Sequence, residues 1–312
     1  MNMKHWFIIN PAAGKSDRTT ELSYKISTLC KEREFDFEVV VSHAPGECEA
    51  LARKAAQTGE PCRIYACGGD GTLNEVVNGA AGYSNAAVTV FPSGSGNDFI
   101  KASSDPSAFF DMERLLDAEE ATFDLIEVGD RFGLNICSIG IDARVGIDVA
   151  KYKRLPLVSG SGAYLISTLV NVVKGVHRHY VIEVAGEVID GRQTLICACN
   201  GRWYGGGFYP VPDAELDDGL LDVLLIKPVS RLKVAAVIGQ YKAGKYQNYP
   251  DLIRHLRVPE ITIHSDEPSK VNIDGEQMIA KDVTFRISEK KLRFFYPKGL
   301  SWAAQEVPAA AR

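Results

Sequence analysis

The sequence predicts an α/β protein with two domains, an N-terminal domain on an open parallel sheet and a C-terminal antiparallel β-sandwich. The first observation is length, because a chain of 312 residues can bury a large core and is long enough for about two domains. The second is that apolar strands alternate with helices over residues 1–122. The third is that short strands separated by turns dominate residues 123–289, the second predicted domain.

The elements of the first domain follow from hydrophobic patterning. Strands are predicted over residues 6–9, 37–41, 63–67 and 87–91, and helices over 18–33, 46–57 and 72–80. Because the strands are continuously apolar and are joined by helices, they predict a parallel sheet that is covered on both faces.

The second domain is predicted from runs of β-branched and aromatic residues with turn signals between them. The strand-like segments are 181–184, 188–189, 194–199, 220–226, 260–264, 270–273, 283–288 and 292–296. Helical patterns occur only around 162–174 and 231–242. Turn dipeptides such as Ala185-Gly186 and Asp190-Gly191 favour antiparallel hairpins.

Charge and cysteine content exclude several classes of protein. A net charge of −5 argues against nucleic acid as a partner, since phosphate backbones require a basic face. The apolar run near the N-terminus is too short for a signal peptide. Residues 155–173 carry no charge, but Pro156 and several glycines favour a buried loop and helix over a membrane span. An odd number of cysteines without a CxxC pair predicts a cytoplasmic protein with free thiols.

Three loops rich in small residues follow three of the predicted parallel strands. They read NPAAGK from residue 10, GGDGT from residue 68 and PSGSGND from residue 92. Ligands bind beyond the carboxyl ends of such strands, and the amides that begin the following helices attract phosphate. We therefore expect the glycines to let a polyphosphate approach the backbone, while Asp70 handles its magnesium directly or through water.

Two common nucleotide motifs do not fit these loops. Gly14-Lys15-Ser16 resembles the end of a Walker A loop, but the required first glycine would fall at Ile9. The GxGxxG fingerprint belongs after the first strand, where Asn10-Pro11 stands instead.

The same three loops resemble the nucleotide-binding segments of the diacylglycerol kinase catalytic-domain family, which includes bacterial lipid kinases, sphingosine kinases and ceramide kinases. Residues 211–223 resemble the acidic metal segment of that family, and Asp274-Gly275-Glu276 resembles its catalytic segment. Ser42 and Ser95 stand where the family usually has threonine.

The resemblance implies a two-domain kinase with a phosphofructokinase- or NAD kinase-like first domain that binds ATP. It also implies that the chain end, about residues 290–312, packs back on this domain. The residues expected to contact ATP are Asn10, Pro11, Ala12, Ala13, Gly14, Ser42, Gly68, Gly69, Asp70, Gly71, Thr72, Leu73, Asn74, Glu75 and Ser95.

The acidic segments receive metal and catalytic roles from the same resemblance. Glu215 and Leu220, through backbone carbonyls, and Asp218, through its side chain, would hold a structural magnesium ion. On sequence alone, residues 217–219 could equally form a plain turn before a strand. Asp70 and Asp124 would position magnesium and water at the catalytic centre.

The catalytic segment offers two candidates for the base. Asp274 would take the proton of the acceptor hydroxyl, with Glu276 as the alternative base or as its partner. On spacing alone, Asp274-Gly275 could also be a simple hairpin turn.

The resulting hypothesis is an ATP- and Mg²⁺-dependent lipid kinase that phosphorylates diacylglycerol to phosphatidic acid. The alternatives are another lipid (a sphingoid base, phosphatidylglycerol or undecaprenol), a soluble acceptor such as NAD, or a binding module without catalysis. The enzyme is expected to meet its lipid by transient contact with the membrane surface, with basic residues at 151–154 and 290–293 in reach of anionic lipid or simply solvated. A homodimer is left open.

Overall fold

Two units make up the described part of the chain. The computed structural model describes residues 3–14, 16–94, 96–140 and 177–302. The first unit contains Met1–Leu125 and Glu289–Ser301, and the second contains Ile126–Ser288 and Trp302. The helix predicted around 162–174 lies outside the described residues.

The first unit begins with strands that alternate with helices. The strands are β1 (Lys4–Ile9), β2 (Asp36–Val41), β3 (Cys62–Gly68) and β4 (Ala86–Pro92), and the helices are α1 (Thr19–Glu32), α2 (Glu47–Gln57) and α3 (Asp70–Ala80). The strands pair in parallel in the order β2-β1-β3-β4. Every residue of β4 is buried, as expected for a strand covered on both faces. The predicted parallel sheet is confirmed.

Small residues bring α2 and α3 together. The buried residues of α2, Cys48, Ala52, Ala55 and Ala56, share one helical face. A Cβ atom on Gly79 of α3 would lie 2.3 Å from the carbonyl oxygen of Glu49, so only glycine permits this helix spacing.

After β4 the chain forms short elements that the sequence did not predict. Two 3₁₀ turns, Phe99–Ala102 and Pro106–Phe110, lead into α4 (Met112–Leu116) and β5 (Ala118–Phe123). Asp111 caps α4, because its carboxylate accepts a hydrogen bond from the Glu113 amide at 3.0 Å.

The second unit is built from antiparallel strands. They are β6 (Ile126–Val128), β7 (Arg131–Gly133), β8 (Ile136–Gly140), β9 (Arg178–Val184), β10 (Glu187–Gln193), β11 (Leu195–Cys199), β12 (Leu221–Ile226), β13 (Ile253–Val258), β14 (Glu260–Ile273) and β15 (Glu276–Ile287), with α5 (Arg231–Lys242) after β12. They pair in the order β13-β12-β11-β8-β14-β15-β6-β7, while β9 pairs with both β10 and β14. The antiparallel second domain is confirmed.

One long strand joins two groups of strands in this unit. The first part of β14 pairs with β9, and its last part, Val271–Ile273, pairs with β8. The register with β15 shifts between His264 and Ser269, which marks a bulge. The sequence predicted two separate strands, 260–264 and 270–273. The structure has one 14-residue strand instead, and the bulge changes its direction so that its first part pairs with β9 and its last part with β8.

A segment late in the chain returns to the first sheet, while residues 303–312 of the stretch predicted to pack there lie outside the described residues. Strand β16 (Leu292–Pro297) lies between β4 and β5, parallel to β4 and antiparallel to β5. Phe294 on β16 is fully buried, and its ring lies 5.2 Å from that of Phe99 and 5.6 Å from that of Phe123. A strand from the end of the sequence thus fills the interior of the first unit.

We expect Phe294→Ala to destabilise the protein by about 3–5 kcal/mol, because it removes a buried ring and leaves a cavity. Urea unfolding of the full chain measures the change. Phe110→Ala is the matched control, since Phe110 is 54% exposed and its loss should cost no more than about 0.5 kcal/mol. Equal decreases in the free energy of unfolding for the two variants would show that β16 is not an integral strand of the sheet.

Candidate active site

Three loops lie at the carboxyl ends of β1, β3 and β4 in the first unit. The first loop is Asn10–Gly14, the second is Gly68–Thr72, and the third runs from Ser93 to Asp98. The Asn10 side chain ties the first loop to the second, because its Nδ2 donates to Thr72 Oγ1 at 3.0 Å. Its Oδ1 accepts from the Ala12 amide at 3.0 Å, which shapes the first loop itself.

The second and third loops touch through their backbones. A Cβ atom on Gly69 would lie 2.7 Å from the carbonyl oxygen of Gly96, and one on Gly94 would lie 2.6 Å from the Cα of Gly69. Gly69 has φ −111°, which other residues also adopt, so backbone freedom is not the reason for this glycine. Gly69 and Gly94 are thus required by the contact between the loops, a reason that the sequence did not predict, while the approach of a polyphosphate stays a prediction.

Asp70 locks this contact. Its amide donates to the carbonyl oxygen of Gly96 at 2.9 Å, and its carboxylate oxygens accept from the Asp98 amide at 2.9 and 3.0 Å. The carboxylate therefore holds the third loop where the 3₁₀ turn begins at Phe99. Since each carboxylate oxygen has further lone pairs, this arrangement still permits the predicted contact with magnesium or its water.

The exposed backbone of these loops forms a surface for an anion. Ala12, Gly14 and Gly71 are exposed. Gly69 precedes α3 and has no side chain that could accept from the first amides of the helix, which carry partial positive charge. Gly14 has φ +89°, and a Cβ there would lie 2.5 Å from the Ser93 carbonyl oxygen, so the first loop also lies against the third. Phosphate is the ligand that such a surface suits.

Several side chains that were expected at the nucleotide point into the protein instead. Thr72, Leu73 and Asn74 are buried on α3. The carboxylate of Glu75 accepts from the Cys48 amide at 3.1 Å and so caps α2. These residues shape the edge of the sheet through the helix, and the buried Thr72 hydroxyl also accepts from Asn10 of the first loop.

The remaining predicted residues of this group lie at the same edge. Ser42 follows β2 and is buried, and its hydroxyl donates to the Ile9 carbonyl oxygen at 3.4 Å. Pro11 and Ala13 are half-buried within the first loop. Ser95 lies outside the described residues.

Asp124 directly follows β5 and is buried. Its carboxylate pairs with Lys291, which directly precedes β16. The sequence did not predict this partner, because a lysine so distant along the chain gives no local signal.

In the second unit, Asp274 occupies the tight turn between β14 and β15. It has φ +51° and Gly275 has φ +102°, as in a two-residue hairpin loop. Asp274 thus forms the hairpin turn that the sequence allows, and it also presents a carboxylate held by the protein, while its role as the base stays a prediction. A two-residue hairpin loop of this kind requires positive φ at both of its central residues, so the φ of Asp274 follows from the turn.

The Asp274 carboxylate is held by three successive backbone amides. It accepts from Leu134 at 2.5 Å, from Asn135 at 3.0 Å and from Ile136 at 2.8 Å. Hydrogen bonds to a carboxylate stabilise its charged form and fix its orientation. Glu276, which begins β15, is exposed. The sequence could not reveal these amides before and at the start of β8 as partners of Asp274, because every residue other than proline has an amide.

The predicted metal segment forms a closed turn. Asp218 Oδ1 accepts from the Leu220 amide at 2.9 Å, and Asp218 Oδ2 pairs with Arg257. Gly219 has φ +77°, and Glu215 is exposed. The described ranges contain no cluster of three or more histidine, cysteine or acidic residues that could hold a metal. Because Asp218, the one predicted side-chain ligand, is already paired with Arg257, the segment does not fit the predicted magnesium site in this arrangement.

The described residues include no helix that is both long and apolar enough to cross a membrane. All seven cysteines are buried and unpaired, as the sequence predicts.

Comparisons with known proteins agree with this architecture. Residues 4–128 match the diacylglycerol kinase catalytic domain, and residues 135–296 match the YegS C-terminal NAD kinase beta sandwich-like domain. A Xanthomonas oryzae protein named "Probable lipid kinase YegS-like" is 30% identical, with 95% of this chain and 97% of that protein covered. A Pseudomonas aeruginosa protein of the same name is 29% identical over 85% of this chain and 86% of its own length.

A solved structure shares the fold. The crystal structure of a "putative diacylglycerol kinase" from Bacillus anthracis str. Sterne has a TM-score of 0.74 and 22% identity, and the match covers 96% of this chain and 98% of that one. With both domains matched and relatives similar over nearly their whole length, the chain belongs to the family of YegS-like lipid kinases and is a lipid kinase.

Proposed function

We propose that this lipid kinase transfers the γ-phosphate of ATP to a hydroxyl of diacylglycerol and so produces phosphatidic acid. The observation that carries the proposal is the convergence of three backbone loops on the exposed amino end of α3. The Bacillus anthracis proteins of similar fold are described as diacylglycerol kinases, which supports the choice of acceptor. At 19–22% identity that support rests on the fold, so the acceptor is the part that experiment must decide.

The first unit would bind the phosphates of ATP. The exposed backbone at Gly71 and the dipole of α3 favour a group with several negative charges. Magnesium that arrives with ATP supplies positive charge to the phosphate oxygens during transfer. Asp70 and Asp124 are the carboxylates proposed to orient it, and because both already accept from protein donors, contact through water suits them best.

Asp274 would accept the proton of the acceptor hydroxyl. As the lipid oxygen forms its bond to the γ-phosphorus, the bond from that phosphorus to the bridging oxygen breaks and ADP leaves. The hydroxyl proton then passes to the Asp274 carboxylate, which the amides of Leu134, Asn135 and Ile136 hold in one orientation. Glu276 is the alternative base.

A lipid acceptor requires contact with a membrane surface, which we propose to be peripheral and transient on the cytoplasmic side. Of the two basic segments, residues 151–154 lie outside the described residues. In the other segment Lys291 pairs with Asp124, and Arg293 pairs with Glu120 at 2.5 Å, so these two charges are already matched. Because the acceptor lies in a membrane surface, the kinase assay is best run on lipid vesicles.

The acceptor is identified by offering the same vesicles with one candidate lipid at a time and following transfer of labelled γ-phosphate. We expect diacylglycerol to be phosphorylated with the highest kcat/KM, followed by monoacylglycerol. Preferential phosphorylation of phosphatidylglycerol, a sphingoid base or undecaprenol would overturn diacylglycerol as the acceptor and would leave the lipid kinase activity unchanged. Labelling of none of these lipids above a protein-free control would overturn the proposal as a whole.

Asp274→Asn should lower kcat by at least about a hundredfold and leave ATP affinity within roughly threefold, because it removes the proton acceptor. Its amide group would also face backbone N–H donors, so thermal unfolding of the variant must be measured alongside turnover. Glu276→Gln is the comparison and should retain most activity. Near wild-type turnover in Asp274→Asn would move the role of base to Glu276.

Gly69→Ala should raise the dissociation constant for ATP by roughly tenfold or more, since the added Cβ displaces the third loop from the second. Calorimetric titration of the full chain with ATP measures this. Gly191→Ala is the matched control, because no atom lies within 4 Å of its Cβ position. Unchanged ATP affinity in a folded Gly69→Ala protein would show that the contact between the loops does not build the nucleotide site.

A further inference from the structure

Arg257 and the acidic turn before β12 form a compact charge cluster. Arg257 on β13 stands directly opposite Asp222 on β12 in the antiparallel register. From that position the guanidinium pairs with Asp218, whose side chain is 15% exposed. Its Nε also lies 3.6 Å from Asp222 Oδ1. One arginine therefore connects the turn to the strand that follows it.

The other partners of the cluster complete its hydrogen bonds. The buried carboxylate of Asp222 contacts His255 Nε2 at 2.6 Å, and His255 Nδ1 contacts the hydroxyl of Tyr246 at 2.9 Å. Asp218 uses its second oxygen to accept from the Leu220 amide. Both carboxylates are thus bound by groups of the protein.

We infer that Arg257 closes this turn in place of a divalent cation, so that the second unit folds without bound magnesium. Magnesium requires near-octahedral oxygen ligands at about 2.0–2.1 Å, whereas the only carboxylate of the predicted ligand set already accepts from the Leu220 amide and pairs with the Arg257 guanidinium. The positive charge of Arg257 beside Asp218 also opposes a second cation there. The planar guanidinium, by contrast, suits carboxylate partners on two sides.

The inference concerns the structural site alone. It is independent of the proposed acceptor and of magnesium that enters with ATP, and its test therefore uses protein without nucleotide.

Thermal unfolding of the full chain is measured in EDTA and in excess MgCl₂. We expect the Tm of the wild type to agree within about 1 °C in the two solutions, because no metal binds only to the folded state. Arg257→Gln and Asp218→Asn should each lower Tm by roughly 2–4 °C in both solutions. The double variant should lose no more than the more damaging single variant, since the two residues form one interaction.

Arg254→Gln is the matched control. Arg254 lies on the same strand and pairs with Glu187 at 2.9 Å, but both side chains are largely exposed, so its loss should shift Tm by less than about 2 °C. Arg257→Lys serves as a second variant if Arg257→Gln does not fold, and it should behave alike in EDTA and magnesium.

Two results would overturn the inference. One is a fall of several degrees in the Tm of the wild type on chelation, which would mean that magnesium displaces Arg257 and holds the turn. The other is additive losses in the double variant, which would mean that Arg257 and Asp218 do not act as a pair.

Discussion

The edge of the first sheet depends on one contact between two stretches of backbone. Gly69 and Gly94 approach so closely that neither position has room for a Cβ atom, and Asp70 fixes the approach by accepting from the Asp98 amide. Parallel pairing of β3 with β4 places these loops side by side, and Asn10 adds the loop that follows β1. The shape of the proposed phosphate surface is thus a consequence of packing between loops before any ligand binds.

The sequence predicts best those parts of the fold that are determined locally. Strands β1 to β4 are apolar runs between helices, and their order along the chain nearly dictates a parallel sheet. Strand β5 was missed because AEEATF is largely polar, and only pairing with the distant β16 makes it a strand. Strand β14 was divided because Pro268 and its polar neighbours read as a break, whereas they form a bulge. Pairing partners far along the chain leave no signal in a window of ten residues.

The site shows the same difference between features that are determined locally and features that depend on residues far along the chain. The glycine loops were predicted from their residues and Asp274 from the family resemblance, yet the contacts of neither were predicted. Asp274 is held by amides almost half the chain away, and Asp218 meets Arg257 on another strand. Glu75 belongs to the recognised motif, but its carboxylate caps a neighbouring helix. A motif indicates which residues matter, while the partner of each side chain is set by tertiary packing.

The position of β16 has a consequence for the order in which the protein is made. A ribosome releases β1 to β5 early, but the strand that separates β4 from β5 emerges only after nearly all of the second unit. Domains usually fold from the N-terminus onward as they are synthesised. Until β16 is synthesised, the nascent first unit lacks the strand between β4 and β5, and the partners of Phe294 remain uncovered. The unit that is translated first is therefore completed only after nearly all of the second unit has been translated.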